Sequence, residues 1–263
     1  MKKLFKITAL IMVLAMALCC FAACGNNAQN DVENDAETAY AGTYELLKMG
    51  TNAAFPPYEY KEGEEIIGID AEIAAAIAKE LGAKFEIVDM EFDSIITAVQ
   101  QGGVDFGMAG MTVTDERKLE VDFTSSYATG IQVVIVNEGS DIKTLDDLTG
   151  KKIGVQLGTT GDIYACGDYG EENVIQYGKG ADAVIALKGG DVDAVIIDNE
   201  PAKAFVASNE GLEILETEYA VEDYAIAIKK GNQQLLDDIN AALKKLTKDG
   251  TIDAIIEKYI PAE

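Results

Sequence analysis

Two stretches of the chain repeat one construction. Ala98-Val99-Gln100-Gln101-Gly102-Gly103-Val104-Asp105 and Ile185-Ala186-Leu187-Lys188-Gly189-Gly190-Asp191-Val192-Asp193 both read as helix, Gly-Gly stop, acidic turn and strand. Glycine ends helices because it alone reaches the left-handed conformation without a Cβ clash. A chain that builds this unit twice points to two lobes of similar α/β construction, not one continuous sheet.

The hydrophobic pattern around the repeats alternates strand and helix. Tyr44–Gly50 reads as a strand, and Ala71–Leu81 as a helix with Ile73, Ile77 and Leu81 on one stripe, ending at Gly82. Phe85–Val88, Ser94–Gln101 and Val104–Met108 continue as strand, helix, strand. After the apolar run Ile131–Val136, strands at Lys152–Val155, Val174–Gln176 and Ala194–Ile197 alternate with helical stretches near Asp162–Ala165, Ala181–Leu187 and Pro201–Ala207. Tyr224–Ile228 is a second apolar strand, followed by amphipathic helices at Asn232–Lys248 and Ile252–Tyr259. The expected division is one lobe from 43–131 plus 228–263 and another from 132–227, with the two apolar strands crossing as hinges.

The N-terminus differs in kind. Lys2, Lys3 and Lys6 precede an apolar run from Ile7 to Ala23, too short for a comfortable membrane span and laid out like a secretion signal. Phe21-Ala22-Ala23-Cys24-Gly25 resembles a bacterial lipobox, with Phe where Leu is usual, which makes residues 1–23 a signal peptide and Cys24 the lipidated first residue. An ordinary signal peptide cut nearby is the alternative. Residues 25–42 are polar, acidic and without apolar period, and read as a disordered tether spanning roughly 20 to 25 Å. Cleavage would leave Cys166 as the one cysteine besides Cys24, so no intramolecular disulfide forms and Cys166 is expected to pack as a small apolar residue.

Composition narrows the function by exclusion. Acidic residues outnumber basic ones 46 to 21, for a formal net charge of −25, so the surface repels nucleic acid. The chain has no His and no Trp, which removes Ser-His-Asp and Cys-His catalysis, His-ligated metals and tryptophan platforms for sugars. No metal or other cofactor is expected.

Arg117 is the only arginine. In so lysine-biased a chain, a lone Arg suggests a task for its planar fork, the bidentate grip of a carboxylate; the structural alternative is a surface residue in the polar run Thr114-Asp115-Glu116-Arg117-Lys118. Gly107-Met108-Ala109-Gly110-Met111-Thr112-Val113-Thr114-Asp115-Glu116-Arg117, followed by Val121-Asp122-Phe123-Thr124, resembles a signature of the polar amino-acid binding proteins of ABC importers, solute-binding family 3. The resemblance extends over nearly all of the chain after the tether. Gly50-Thr51-Asn52-Ala53-Ala54-Phe55-Pro56-Pro57-Tyr58-Glu59 is similar to the family's first ligand loop, and Gly68-Ile69-Asp70-Ala71-Glu72-Ile73 to its approach to the first helix.

The resemblance implies an α/β fold of the two-lobed periplasmic-binding-protein type II kind, each lobe a mostly parallel sheet flanked by helices, joined by two hinge strands. It also implies that Arg117 clamps a ligand α-carboxylate, that Gly110 and Thr112 meet the ligand, and that Phe55 lies against its side chain. In the second lobe, Gly154-Val155-Gln156-Leu157-Gly158-Thr159-Thr160-Gly161 follows a strand and opens a helix, a turn whose free amides suit an anion, with Gln156, Thr159 and Thr160 as ligand residues. It lacks Gly-Lys-Ser/Thr, so it is no nucleotide P-loop. Asp198 ends the strand Ala194-Val195-Ile196-Ile197 just before a helix, where it is either an N-cap or, by resemblance, the partner of the ligand's α-ammonium.

These residues give one charge for each end of a zwitterion. The expectation is capture of an L-α-amino acid, without catalysis, and delivery to an ABC permease in the cytoplasmic membrane. The protein would act as a monomer outside the cytoplasm, held to the membrane by its lipid. Asn52 stands where relatives selective for cationic amino acids have Asp, so a polar uncharged or sulfur-containing ligand is favoured, although Glu59 or Glu91 would rescue a cation. The alternatives are a cationic amino-acid binder, or a binding-protein-like enzyme such as a cyclohexadienyl dehydratase, for which Glu200 is the candidate general acid.

Overall fold

The structure, a computed structural model, describes residues 43–215 and 217–261. The signal run, Cys24 and the tether lie outside the described residues. The first lobe contains β1 (Leu46–Thr51), β2 (Ala54–Phe55), β3 (Glu59–Glu62), β4 (Glu65–Ile67), α1 (Ile69–Glu80), β5 (Lys84–Asp89), α2 (Ile95–Gln101), β6 (Phe106–Gly107), α3 (Asp115–Glu120) and β7 (Val121–Phe123). The second contains β8 (Ala128–Asn137), β9 (Ile153–Gln156), α4 (Thr160–Tyr169), β10 (Val174–Tyr177), α5 (Gly180–Gly189), β11 (Ala194–Asp198), α6 (Asn199–Ser208), β12 (Leu212–Ile214) and β13 (Ala220–Tyr224). The chain then returns to the first lobe with β14 (Ala227–Lys229), α7 (Gln233–Lys248) and α8 (Thr251–Tyr259).

The two principal sheets share one plan. In the order β5-β1-β6-β14-β7, the first three strands are parallel and β14 runs antiparallel to both of its neighbours, β6 and β7. In the order β10-β9-β11-β8-β12, the first three are again parallel, and β12 and β13 both run antiparallel to β8. The repeated motif accounts for this match: α2 leads to β6 and α5 to β11, the third parallel strand of each sheet. Gly102 and Gly190 both close their helices in the left-handed region, at φ of 75° and 79°. The sheets are mixed, not mostly parallel, because each lobe receives an antiparallel strand at the point where the chain crosses over. A separate three-stranded meander, β2-β3-β4, had no counterpart in the hydrophobic pattern.

Burial explains the elements. Ile69, Ile73 and Ile77 of α1 are fully buried, as the 3.6-residue period requires, and each such side chain contributes about 2 kcal/mol from surface removed from water. In α7, Leu235, Ile239, Leu243 and Leu246 form the same kind of stripe. β8 is apolar on both faces because both are covered: Val133 and Ile135 join one core cluster, Val134 and Val136 another.

The expected strand Tyr224–Ile228 is two strands. Tyr224 ends β13 in the second sheet and Ala227 opens β14 in the first, with Ala225 and Ile226 spanning the gap. All five residues are fully buried, so the apolar run hides the break. The first crossing, between Phe123 and Ala128, lies beside it: Thr124 N–H donates to Ile226 O at 3.0 Å, and Tyr127 N–H to Tyr224 O at 3.0 Å. β8 therefore begins inside the stretch assigned by pattern to the first lobe. No helix among the described residues is long and apolar enough to cross a membrane.

Candidate functional site

The carboxyl ends of four strands, the parallel pair β1 and β6 in one lobe and the parallel pair β9 and β11 in the other, converge on one cavity. All nine ligand residues read from the sequence line it: Asn52, Phe55, Gly110, Thr112, Arg117, Gln156, Thr159, Thr160 and Asp198. Glu59, Phe92 and Ala109 complete the wall.

Arg117 is not a surface residue; it is only 7% exposed. Thr114 caps α3 and accepts the Arg117 N–H at 3.1 Å, which fixes the backbone from which the side chain turns inward. Nη1 donates to Thr112 O at 2.7 Å and Nη2 to Gly158 O at 3.0 Å, so the guanidinium bridges the lobes. Its carbon lies 5.4 Å from the centre of the Phe92 ring. The fork has five N–H donors, and these two bonds orient it while leaving others for an anion. Burial lowers its pKa, with Glu222 and Asp198 opposing, but a guanidinium stays charged.

Gly110 is required for steric reasons. At φ +52° it lies in the left-handed region, and a Cβ would come within 2.9 Å of the Phe55 ring. Its N–H donates to Asp70 Oδ2 at 2.8 Å, which anchors the loop after β6 to α1. Across the cleft, Thr159 caps α4, its hydroxyl accepting Asp162 N–H at 3.3 Å and donating to Gln156 O at 2.8 Å. Thr160 follows at the start of this ten-residue helix, whose dipole favours an anion at that end.

Asp198 stands at the N-cap position of α6 but makes no capping hydrogen bond, which removes the N-cap reading of its carboxylate. Oδ1 instead accepts from the hydroxyl of Tyr224. That contact depends on Gly130, where a Cβ would come within 2.1 Å of the Tyr224 hydroxyl oxygen. Burial, reinforced by the charge of Glu222, pushes the Asp198 carboxyl up to about 7, against the downward pull of Tyr224 and Gln132. A cation beside it would reverse that shift.

Asn52 is held at both ends of its amide. Nδ2 donates to Met90 O at 2.7 Å, and Oδ1 accepts from Gln156 Nε2 at 3.0 Å, a second bond between the lobes. Gln156 also donates to Gly178 O at 3.3 Å.

Glu222 went unnoticed in the sequence. Behind the cavity wall its Oε2 accepts from Thr112 Oγ1 at 3.1 Å, Thr160 Oγ1 at 3.0 Å and Gln132 Nε2 at 2.9 Å. A period-two reading through Tyr224 would have found it, since residues two apart in a strand share a face, and here Glu222 and Tyr224 are buried while Val221 and Asp223 are exposed. Phe92 precedes α2 in a single 3₁₀ turn and carried no signal. Glu200, the candidate general acid, lies outside the cavity wall and pairs with Lys203 at 2.8 Å. Cys166 is half-buried, not packed away. Its thiol donates to Asp162 Oδ1 at 3.4 Å and is pushed up to about 11 by burial and that carboxylate. No acidic or cysteine cluster able to hold a metal occurs among the described residues.

A two-lobed α/β fold that encloses a charge-paired cavity between its sheets defines a solute-binding protein. Residues 47–262 match the family described as Bacterial extracellular solute-binding proteins, family 3, and the chain belongs to that family. It is 37% identical over 227 residues to the arginine-binding extracellular protein ArtP of Bacillus subtilis (strain 168), covering 82% of this chain and 87% of that one. Among solved structures it is similar to an ancestral arginine-binding protein bound to glutamine, with TM-score 0.79 and 44% identity over 82% of this chain and 98% of the other. The corresponding structure bound to arginine has TM-score 0.77 at the same identity and coverage.

Proposed function

We propose that this protein captures an L-α-amino acid outside the cytoplasm and passes it to the permease of an ABC importer, acting as a monomer tethered through a lipid on Cys24. The observation that carries the reading is the placement of Arg117 and Asp198 in the wall of one small cavity, each 7% exposed or less. A buried cation and a buried carboxylate without each other as ion-pair partners cost free energy unless a ligand supplies both opposite charges, and a zwitterion does so. Bonds from Arg117 to Gly158 and from Gln156 to Asn52 join the lobes, which supports closure around the ligand.

Asn52 supports a polar uncharged or sulfur-containing side chain, because its amide supplies no counter-charge. Glu59 favours a second reading, a cationic side chain: it lines the cavity as a further buried acid, and the relatives described above carry arginine in their names. Competition with Lys, Arg, Gln, Ser, Cys and cystine, on the parent and on Asn52→Asp, tests the assignment. The neutral set winning on the parent and losing ground to the cations in the variant supports the Asn52 reading. A parent that already prefers Arg or Lys replaces it with the cationic one, and binding of no amino acid removes both.

A further inference from the structure

Glu59 opens β3 and is 1% exposed, yet both of its carboxyl oxygens lack a hydrogen-bond donor among the described residues, as does Oδ1 of the fully buried Asp70. Asp70 N–H donates to Tyr58 O at 2.8 Å, which sets the Asp70 carboxyl beside that of Glu59. The other oxygen of Asp70 is well served: Oδ2 accepts Gly110 N–H at 2.8 Å and the Tyr127 hydroxyl at 2.7 Å. Two carboxylates in contact, with no cation between them, do not both ionise; one proton held between them satisfies an orphan oxygen on each side. Because Asp70 already takes two donors, the negative charge is best stabilised there and the proton belongs on Glu59.

The surroundings reinforce this. Tyr58 and Tyr127 present neutral phenols, Asp198 from the end of β11 adds negative charge, and among the described residues Arg117 is the one cation in the cavity wall. Burial, then the charge of Asp70, raises the Glu59 carboxyl well above the usual carboxylate range, and burial takes Asp70 up to about 6. A neutral ligand side chain leaves that arrangement undisturbed. A cationic one brings a charge that ionised Glu59 would neutralise, so the proton is driven off into solvent.

Resting on the amino-acid reading above, we infer that Glu59, backed by Asp70, is a proton-exchanging specificity residue: it keeps its proton for a neutral side chain and releases it for a cationic one, so one cavity meets either charge. The balance is simple: the carboxyl O–H bond breaks, its electron pair stays on Glu59, and the proton goes to the buffer.

Calorimetry of the intact, ligand-stripped protein, with arginine and glutamine as probes in two buffers of different protonation enthalpy, counts the protons released. Arginine should release about one proton more than glutamine near pH 7, and its affinity should climb with pH more steeply than that of glutamine, by up to about tenfold more per pH unit, because the proton that either ligand's ammonium drives off Asp198 is common to both and cancels in the comparison. In Glu59→Gln the difference in proton count should vanish. Equal counts for the two amino acids, refusal of arginine at every pH, or a difference that persists in Glu59→Gln would each overturn the inference while leaving amino-acid binding intact. Failure of both to bind takes the underlying reading down with it. The comparison on the unmodified protein stands whether or not the variant folds.

Discussion

Arg117→Ala removes the one cation that lines the cavity among the described residues and two hydrogen bonds, to Thr112 O at 2.7 Å and Gly158 O at 3.0 Å. The second of these joins the lobes, so the variant should lose both the grip on the ligand carboxylate and part of the closed state's support. Breaking a buried charge pair from one side costs about 3 to 5 kcal/mol, which raises Kd by at least roughly a hundredfold. Arg117→Lys separates charge from shape. An ammonium restores the positive charge but cannot reach two carbonyls of different lobes and still present a planar pair of donors, so a loss of about 2 kcal/mol is expected to remain. Isothermal titration of ligand-stripped protein with its best amino acid reads both numbers, and thermal unfolding of the same samples shows whether the fold survives. An Arg117→Ala affinity within about threefold of the parent would refute the argument, and a Lys variant as weak as the Ala variant would show that charge contributes little.

Asp198→Asn keeps an oxygen for the Tyr224 hydroxyl but removes the proposed ammonium partner, so amino-acid binding should be lost while the melting temperature of the empty protein at neutral pH stays level or rises; lost stability with retained affinity would count against it. Because folding raises the Asp198 carboxyl from 3.8 to about 7, its contribution to stability is full below about pH 4 and is lost as pH rises through 7, so the melting temperature of the empty protein should fall across that window and less so in Asp198→Asn. Cys24→Ala should release the protein from membranes, and unchanged membrane association on fractionation would refute a lipid anchor.

Much of the site was legible because its chemistry is local. Arg117 stood out by rarity, Asp198 by its place at a strand end, and the turn before α4 by its glycines. Each of these signals comes from a few adjacent residues whose conformation is set by nearby backbone sterics and periodicity. The same holds for α1 and α7, whose apolar stripes repeat at helical spacing, and for the duplicated Gly-Gly stops that disclosed two lobes. Strand boundaries near Tyr224 were not legible, since burial on every side erases the alternation that marks a strand's faces and its end.

What sequence pattern left open depends on groups far apart in the chain. Glu59 could be named as one carboxylate in a loop, but its orphan oxygens exist only because α1 brings Asp70 against it and the meander shuts out water. Glu222 reaches Thr112 and Thr160, 110 and 62 residues away, across a junction formed only when both lobes are folded. Asp198 could have been an N-cap until Gly130 allowed Tyr224 to approach it from another strand. Periodicity and turn chemistry are written in neighbouring residues, whereas the burial and charge balance that set a carboxyl's protonation arise from tertiary packing.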